Sequence, residues 1–255
     1  MRIRQLSLAL ANQIAAGEVI ERPASVIKEL LENALDAKAT SIAIEIGFGG
    51  LNYMKISDNG IGICAEDLHL AIAAHATSKI EHVTDLYHIT TMGFRGEALA
   101  SIASVSRMAL YSKTADQTHG MMLSTDETGI RLKPFARTQG TTIEVRDLFF
   151  NTPVRKTFLK TERMEYQAIE LVVKQFALSA PNVALVLSHN GKQTLALPAG
   201  HSEQSHLQRV KKLFGQAFLN DVVLVNEHYD NMSLKGWLSQ RDYQRSQRDR
   251  QWVYL

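Results

Sequence analysis

Pro23-Ala24-Ser25-Val26-Ile27-Lys28-Glu29-Leu30-Leu31-Glu32-Asn33-Ala34-Leu35-Asp36-Ala37 decides the architecture that the rest of the chain must serve. Val26, Ile27, Leu30, Leu31, Ala34 and Leu35 recur at helical spacing, and Pro23 suits a first helical turn, where its missing N–H has no intrahelical acceptor anyway. The apolar face is broad enough to bury the helix against a sheet. Opposite it, Glu29, Asn33 and Asp36 stand at i, i+4 and i+7, within about 60° of one another at roughly 100° per residue. Such a stripe, taken alone, is more often a solvated face than a catalytic one. A carboxylate and an amide oxygen one turn apart nevertheless suit phosphoanhydride hydrolysis, where water must be activated and a magnesium ion held.

Outward from this helix, Leu8 to Gly17 reads as a short helix before it, and Ser41 to Ile46 after it alternates Ile42, Ile44 and Ile46 as a half-buried strand does. Gly49-Gly50 marks a turn. A second strand, about Tyr53 to Ser57, runs into Asp58-Asn59-Gly60-Ile61-Gly62. Glu66 to His75 looks helical, whereas Ala76 to Arg95 has no sustained period and is expected to form a long mobile loop, of the kind that covers a ligand. A helix at Gly96 to Ser104 precedes strand signals at Arg107 to Ser112, Met121 to Ser124, Thr141 to Val145, Val183 to Ser188 and Gln193 to Leu197, with a helix at Glu162 to Leu178 among them. Asn190-Gly191 supplies the turn that joins antiparallel hairpin strands. The class is α+β, with a mixed, mainly antiparallel sheet.

From Pro198 to His206 the sequence turns polar, and a helix at about Leu207 to Phe214 leads to strands near Val222 to Val225 and Met232 to Leu238. Residues 1–205 are therefore expected to form one domain and 206–255 the start of a smaller α/β one. Gln251-Trp252-Val253-Tyr254-Leu255 is apolar and strand-like with no turn or cap after it, so the second domain is expected to be cut short.

Two further segments carry chemistry. Asp58-Asn59-Gly60-Ile61-Gly62 offers an acceptor-only carboxylate at a strand end, beside glycines that let a planar ring approach the backbone; an adenine amino group would satisfy it. Asp and Gly also furnish ordinary turns and calcium loops, so the pentapeptide alone is a weak signal. Gly93-Phe94-Arg95-Gly96-Glu97-Ala98-Leu99 sets two glycines ahead of a helix whose first amides lack partners, which makes either a phosphate cradle or a hinge. Its spacing is not that of a Walker loop.

Composition adds limits. Across 255 residues, 45% hydrophobic and 21% charged side chains with five prolines describe a globular protein rather than a disordered one. No apolar run reaches the roughly 18 residues that cross a bilayer, no signal-peptide h-region follows Met1 to Gln5, and the lone Cys64 cannot form an internal disulfide; an intracellular protein without membrane contact is expected. A net charge of +2 does not by itself imply a nucleic-acid partner. Arg241, Arg245, Arg248 and Arg250, with Lys211 and Lys212, could contact phosphates, although Asp242 and Asp249 interrupt the run and favour a mixed-charge surface.

Glu29 to Asn33, Asp58 to Gly62, the glycines at 93 and 96, and Gly140-Thr141-Thr142 resemble, in order and separation, the four nucleotide-binding motifs of the GHKL ATPase superfamily. Within it, Ala11-Asn12-Gln13-Ile14-Ala15-Ala16-Gly17-Glu18-Val19, Arg22-Pro23-Ala24-Ser25, His75-Ala76-Thr77-Ser78-Lys79-Ile80, Gly93 to Leu99 and Asp147-Leu148-Phe149-Phe150-Asn151-Thr152-Pro153 look like the MutL family of DNA mismatch repair proteins. The resemblance covers almost the whole chain. It implies a two-layer sandwich of helices on a mixed sheet, holding ATP and Mg2+ beneath a lid from about Ala73 to Glu97. It also implies roles: Glu29 as general base, Asn33 as magnesium ligand, Asp58 as adenine reader beside Gly62, and Thr141 as its helper. Thr77, Ser78 and Lys79 would lie near the triphosphate, and Gly93, Phe94, Arg95, Gly96, Glu97, Ala98 and Leu99 would wrap the phosphates. A lysine from late in the second domain, which the family supplies to the terminal phosphate, falls beyond Leu255, so hydrolysis by these residues alone is expected to be weak.

The same resemblance implies that ATP acts as a switch: lid ordering and nucleotide-dependent N-terminal dimerisation, coupled to a mismatch-recognition protein, a downstream nuclease or helicase, and DNA. The location it implies is cytoplasmic and nucleoid-associated in a bacterium, nuclear in a eukaryote. Type II topoisomerase subunits and heat-shock chaperones share the nucleotide motifs and are the alternatives, but the runs Ala11 to Val19 and Gly93 to Leu99 argue against both. A sensor kinase would need a phospho-acceptor histidine hairpin before these motifs, and none is present. An adaptor without hydrolysis is disfavoured by Glu29 and Asn33 occurring together.

Overall fold

The computed structural model describes residues 16–17, 19–79, 96–126, 129–240 and 251–254. Its first long helix, α1, spans Pro23–Asp36 and buries Val26, Ile27, Leu30, Leu31 and Ala34, while Leu35 packs only partly against the core. Of the expected helix from Leu8 to Gly17, only Ala16 and Gly17 fall within the described residues, and both are helical.

Eight strands form one sheet: β1 Ser41–Gly47, β2 Tyr53–Asp58, β3 Arg107–Lys113, β4 Gly120–Asp126, β5 Gly129–Phe135, β6 Gly140–Arg146, β7 Ala184–His189 and β8 Lys192–Leu197, in the spatial order β5-β4-β3-β6-β2-β1-β7-β8. Only the β1–β7 pair is parallel; the others are antiparallel. Alternation assigns each strand an inner face. Ile42, Ile44, Ile46, Met54, Ile56, Met108, Leu110, Ile143, Val145, Leu185 and Leu187 are buried, and the intervening positions face outward. On the inner face lie α1, α3 (Ala98–Val105) and α5 (Glu162–Ser179), which contribute Ile102, Val105, Ile169, Val173, Phe176 and Ala177 to the same core. This is the two-layer α+β sandwich that the resemblance implied.

Four details depart from the sequence reading. The helix expected over Glu66 to His75 shrinks to α2, Leu68–Ala71, after a 3-10 turn at Ala65–Asp67; Leu68 is its only buried anchor, and His75 at φ 63° breaks the helical path. Strand β5 was not expected, because as an edge strand it is exposed along its whole length and shows no alternation of burial. The short helix α4, Pro153–Thr157, has no buried residue to announce it either. Residues 251–254 form no strand: the Trp252 ring lies 5.2 Å from that of Phe214 and the Tyr254 hydroxyl donates to the Gln175 carbonyl at 2.8 Å, so ring contacts rather than a ladder hold this run.

Helix α6, Glu203–Phe214, starts one turn earlier than expected because Ser202 and Ser205 form a reciprocal cap. After α7 (Gln216–Asn220), β9 (Val222–Tyr229) and β10 (Met232–Ser239) form a separate antiparallel pair among the described residues. Arg209 of α6 is 3% exposed and donates to the carbonyls of Ala177, Pro198, Val183 and Ala180, at 2.8, 2.8, 3.0 and 3.4 Å. Burial pushes its guanidinium down to about 10. A buried carboxylate partner could be exchanged for an apolar one, but backbone carbonyls cannot, so Arg209→Met would leave acceptors unpaired at about 1–3 kcal/mol each. Urea unfolding of this variant is expected to show a loss of at least about 3 kcal/mol; an unchanged midpoint would contradict this account of Arg209.

Candidate functional site

The antiparallel centre of the sheet builds one wall. Ser57 pairs with Thr142 across β2 and β6, which brings Asp58 at the end of β2 against Thr141 at the start of β6. Oδ1 of Asp58 accepts from the backbone N–H groups of Gly60 at 2.8 Å and Thr141 at 3.2 Å, while among the described residues no donor is bound to Oδ2. Burial raises the Asp58 carboxyl above its ordinary value, against the pull of the Gly60 and Thr141 amides and of Arg137. An acceptor held this way is ready for an incoming N–H donor.

Glycine is required where the backbones close on one another. Gly62 has φ +80°, and a Cβ there would sit 2.2 Å from the Lys113 carbonyl oxygen; Gly140 has φ +121°, with the Asp58 carbonyl 2.1 Å from any added Cβ. Asn59 fastens the loop to the start of β1, its Oδ1 accepting from Thr40 and Ser41 N–H, both at 2.9 Å.

Ser112 is a site residue that sequence reading missed. It is 1% exposed, its Oγ accepts from Ile63 N–H at 2.7 Å, donates to the Gly140 carbonyl at 3.2 Å and lies 3.1 Å from Thr141 Oγ1. It therefore ties the glycine loop to β6 beneath Thr141. The signal was available: Met108, Leu110 and Ser112 share the buried phase of β3, and a hydroxyl in that phase needs partners.

A second wall is the polar stripe of α1. Glu29, Asn33 and Asp36 are all partly buried. Burial raises the Glu29 carboxyl above its ordinary value of 4.5, and the charge of Glu32 adds to this; Lys28 and Lys79 pull the other way. Lys79 crosses to this stripe, its Nζ lying 2.5 Å from Asp36 Oδ2 and 3.3 Å from Asn33 Oδ1. The Asn33 amide and Asp36 carboxylate thus already gather a cation, and their hard oxygens fit magnesium. Among the described residues no three His, Cys, Asp or Glu side chains cluster as a metal cage, so an ion here would need substrate oxygens and water to complete its shell.

The two ends of the expected lid meet beside this stripe. Gly96, at φ +63°, has the Ala76 carbonyl 2.2 Å from where a Cβ would be and Thr77 Cβ at 3.1 Å. Thr77 Oγ1 accepts from Lys79 N–H at 3.2 Å, and His75 Nδ1 lies 3.2 Å from Glu97 Oε1. Ala98 and Leu99 open α3 half-buried, whereas Ser78 is exposed. Gly93, Phe94 and Arg95 lie outside the described residues, as do the rest of the lid from 80 to 95 and Arg241, Arg245, Arg248 and Arg250 of the basic run. Lys211 and Lys212 are exposed on α6, and Lys212 donates to the Ala196 carbonyl at 3.0 Å. Cys64 Sγ lies 3.0 Å from Asp67 Oδ2, away from both walls' polar groups. Among the described residues no helix is long and apolar enough to cross a membrane.

Residues 20–145 match the family model for histidine kinase-, DNA gyrase B- and HSP90-like ATPases. Over its whole length the chain is 49% identical to the DNA mismatch repair protein MutL of Cellvibrio japonicus and 47% identical to that of Azotobacter vinelandii, spanning 41% and 40% of them. The chain thus spans about two fifths of the length of these relatives. Among solved structures, the Aquifex aeolicus MutL ATPase domain complexed with ADP superposes with a TM-score of 0.70 at 31% identity, covering 88% of this chain and 78% of that one. Another structure of the Aquifex aeolicus MutL ATPase domain gives 0.66 at 30% identity, covering 89% and 75%. With the two walls in place and this similarity running through both, the chain belongs to the MutL family of DNA mismatch repair proteins and corresponds to their GHKL-type ATPase region.

Proposed function

We propose that the chain binds ATP between these two walls and hydrolyses its terminal phosphoanhydride, as the ATPase region of a larger mismatch repair protein. The observation that carries this reading is the meeting of Lys79 with Asn33, which sets the polar stripe of α1, with Glu29 one turn away, against the glycine-bearing segment. Asp58 Oδ2 accepts from the adenine amino group, with Thr141 and Gly62 shaping the place beside the ring. Asn33 holds magnesium, which when bound neutralises phosphate charge, and Asp36 stands next to it. Lys79 exchanges Asp36 for phosphate oxygens as nucleotide enters. Thr77, Ser78 and the segment Gly93, Phe94, Arg95, Gly96, Glu97, Ala98, Leu99 surround those phosphates. Glu29 takes the proton of the attacking water, and its raised basicity suits it to that task.

The proposal extends to the division of the chain into an ATPase domain, 1–205, and the start of a second domain, 206–255. At the level of the whole protein, nucleotide would order the lid and bring two N-terminal regions together. A mismatch-recognition protein, a nuclease or helicase, and DNA are the partners, and the setting is the bacterial cytoplasm.

The test is phosphate release from ATP by the whole protein as a function of pH. Hydrolysis should require magnesium, and because the base must be unprotonated, the rate should fall as pH drops through a value above 4.5, the ordinary one for a glutamate. Glu32→Gln removes a charge that raises Glu29 and should move this acidic limb to lower pH. A limb that stays in place would remove Glu29 from the role of base.

A further inference from the structure

The helix carrying Glu29 and Asn33 is gripped at its start by a carboxylate buried in another helix. Arg22 stands immediately before α1 with extended backbone, φ −159° and ψ 168°. Its Nε donates to Oε2 of Glu165 on α5 at 3.0 Å, and Nη2 lies 3.0 Å from the same oxygen. The other oxygen, Oε1, accepts from Lys160 N–H at 2.8 Å. The Glu165 side chain is 1% exposed and that of Arg22 38%. A buried carboxylate is tolerated only with its charge and lone pairs answered, so this pair has little freedom to lengthen or turn.

Below the pair the packing leaves no slack. A Cβ on Gly50 would meet Pro23 Cβ at 2.8 Å and Ile169 Cδ1 at 3.0 Å, and one on Gly49 would lie 2.4 Å from the Glu162 carbonyl. The first turn of α1, the Phe48–Gly50 turn and the first turns of α5 are therefore closed on one another. Glu29 follows Arg22 by seven residues, about 10 Å along the axis at 1.5 Å per residue, so any slide or rotation of α1 carries Glu29 and Asn33 with it.

We propose that Arg22 and Glu165 are positioning residues for ATP hydrolysis: their ion pair fixes the axial and rotational setting of α1, and through it the placement of Glu29 and Asn33. Neither side chain touches the nucleotide. The inference rests on the ATPase reading above, and misplacement by about 1 Å at a distance can cost on the order of a hundredfold in rate.

The test uses Arg22→Gln, Glu165→Gln and the double variant in the whole protein, assayed well below their unfolding temperatures. Each single change should lower kcat for ATP hydrolysis by about tenfold to a hundredfold, with KM and ADP affinity within about threefold of the parent. The double variant should be no worse than either single one, since the two groups act as a unit. Arg22→Lys, which cannot deliver two donors from a planar fork, should recover part of the rate only. Hydrogen exchange supplies a second readout: amides of residues 26–33 should lose protection while those of the β7–β8 hairpin keep theirs. Unchanged kcat with unchanged exchange overturns the proposal. So does a parallel fall of kcat, ADP affinity and protection throughout the sheet, which would mark a general role in folding. A parent that releases no phosphate defeats the ATPase reading instead, and the exchange comparison then decides the positioning role by itself.

Discussion

Glu29→Ala is expected to lower the turnover of ATP by about 10² to 10⁴, the usual contribution of a positioned general base, while ADP and ATP affinities stay close to those of the parent. The separation follows from where the groups sit. Asp58 and Thr141 lie on the sheet wall and Asn33 lies one turn further along α1, so nucleotide contacts survive removal of Glu29. The carboxyl is also held against its preference, raised first by burial and then by Glu32, and its loss should not weaken the fold. Glu29→Gln gives the sharper comparison, because it keeps the shape and removes only the basicity. Phosphate release read beside calorimetric binding decides the matter: turnover comparable to the parent in either variant would reject Glu29 as the base, and a loss of affinity equal to the loss of rate would make it a binding residue.

How much of this site could be read in the sequence depended on how far each residue's neighbours lay along the chain. The stripe Glu29, Asn33 and Asp36 follows from helical periodicity, and α1 has it as expected. The Asp58 loop was visible as a motif, but what Asp58 accepts was not, since Thr141 reaches it only through the β2–β6 register. Lys79 is placed near the phosphates by resemblance; its contact with Asp36 and Asn33 depends on a distant loop folding back onto α1, which no periodicity encodes. Ser112 illustrates the remaining difficulty. A serine in a strand is unremarkable until the phase of burial is known, and then its three polar neighbours become obligatory.

The fold shows the same division. Strands with one buried face, such as β1 and β3, have alternating sequences and were found almost to the residue. Strand β5 buries neither face, and its alternation, Ile130-Arg131-Leu132-Lys133, is too short before Pro134 to separate it from a loop. Arg209 lay in a run that read only as a helix, yet it sits 3% exposed on four carbonyls from residues 177 to 198. Pattern identifies which face of an element is buried; it does not identify which distant backbone groups a buried cation will satisfy.

Asp58→Asn is expected to separate stability from nucleotide choice. In the folded protein burial holds the Asp58 carboxyl above its ordinary value of 3.8. The folded state therefore binds this proton more tightly than the unfolded chain does, and the group's contribution to stability is lost as pH rises from 3.8 through the folded value. At neutral pH the charged carboxylate is a net burden, and asparagine relieves it. Its Oδ1 can still accept from Gly60 and Thr141, so thermal unfolding of the nucleotide-free variant should be at least as high as that of the parent. In the proposed complex the atom that faces the base changes from an acceptor, Oδ2, to a donor, Nδ2. The amino group of adenine would then face another donor, whereas the carbonyl of guanine would find a partner. Two buried groups left unpaired cost about 2–3 kcal/mol, which at 1.4 kcal/mol per factor of ten lowers the preference for ATP over GTP by on the order of a hundredfold. Competition binding with both nucleotides measures this ratio. A variant that discriminates as the parent does would show that Asp58 reads no base, and a variant that loses both nucleotides together with its thermal stability would show that the carboxylate is needed by the fold and not by the ligand.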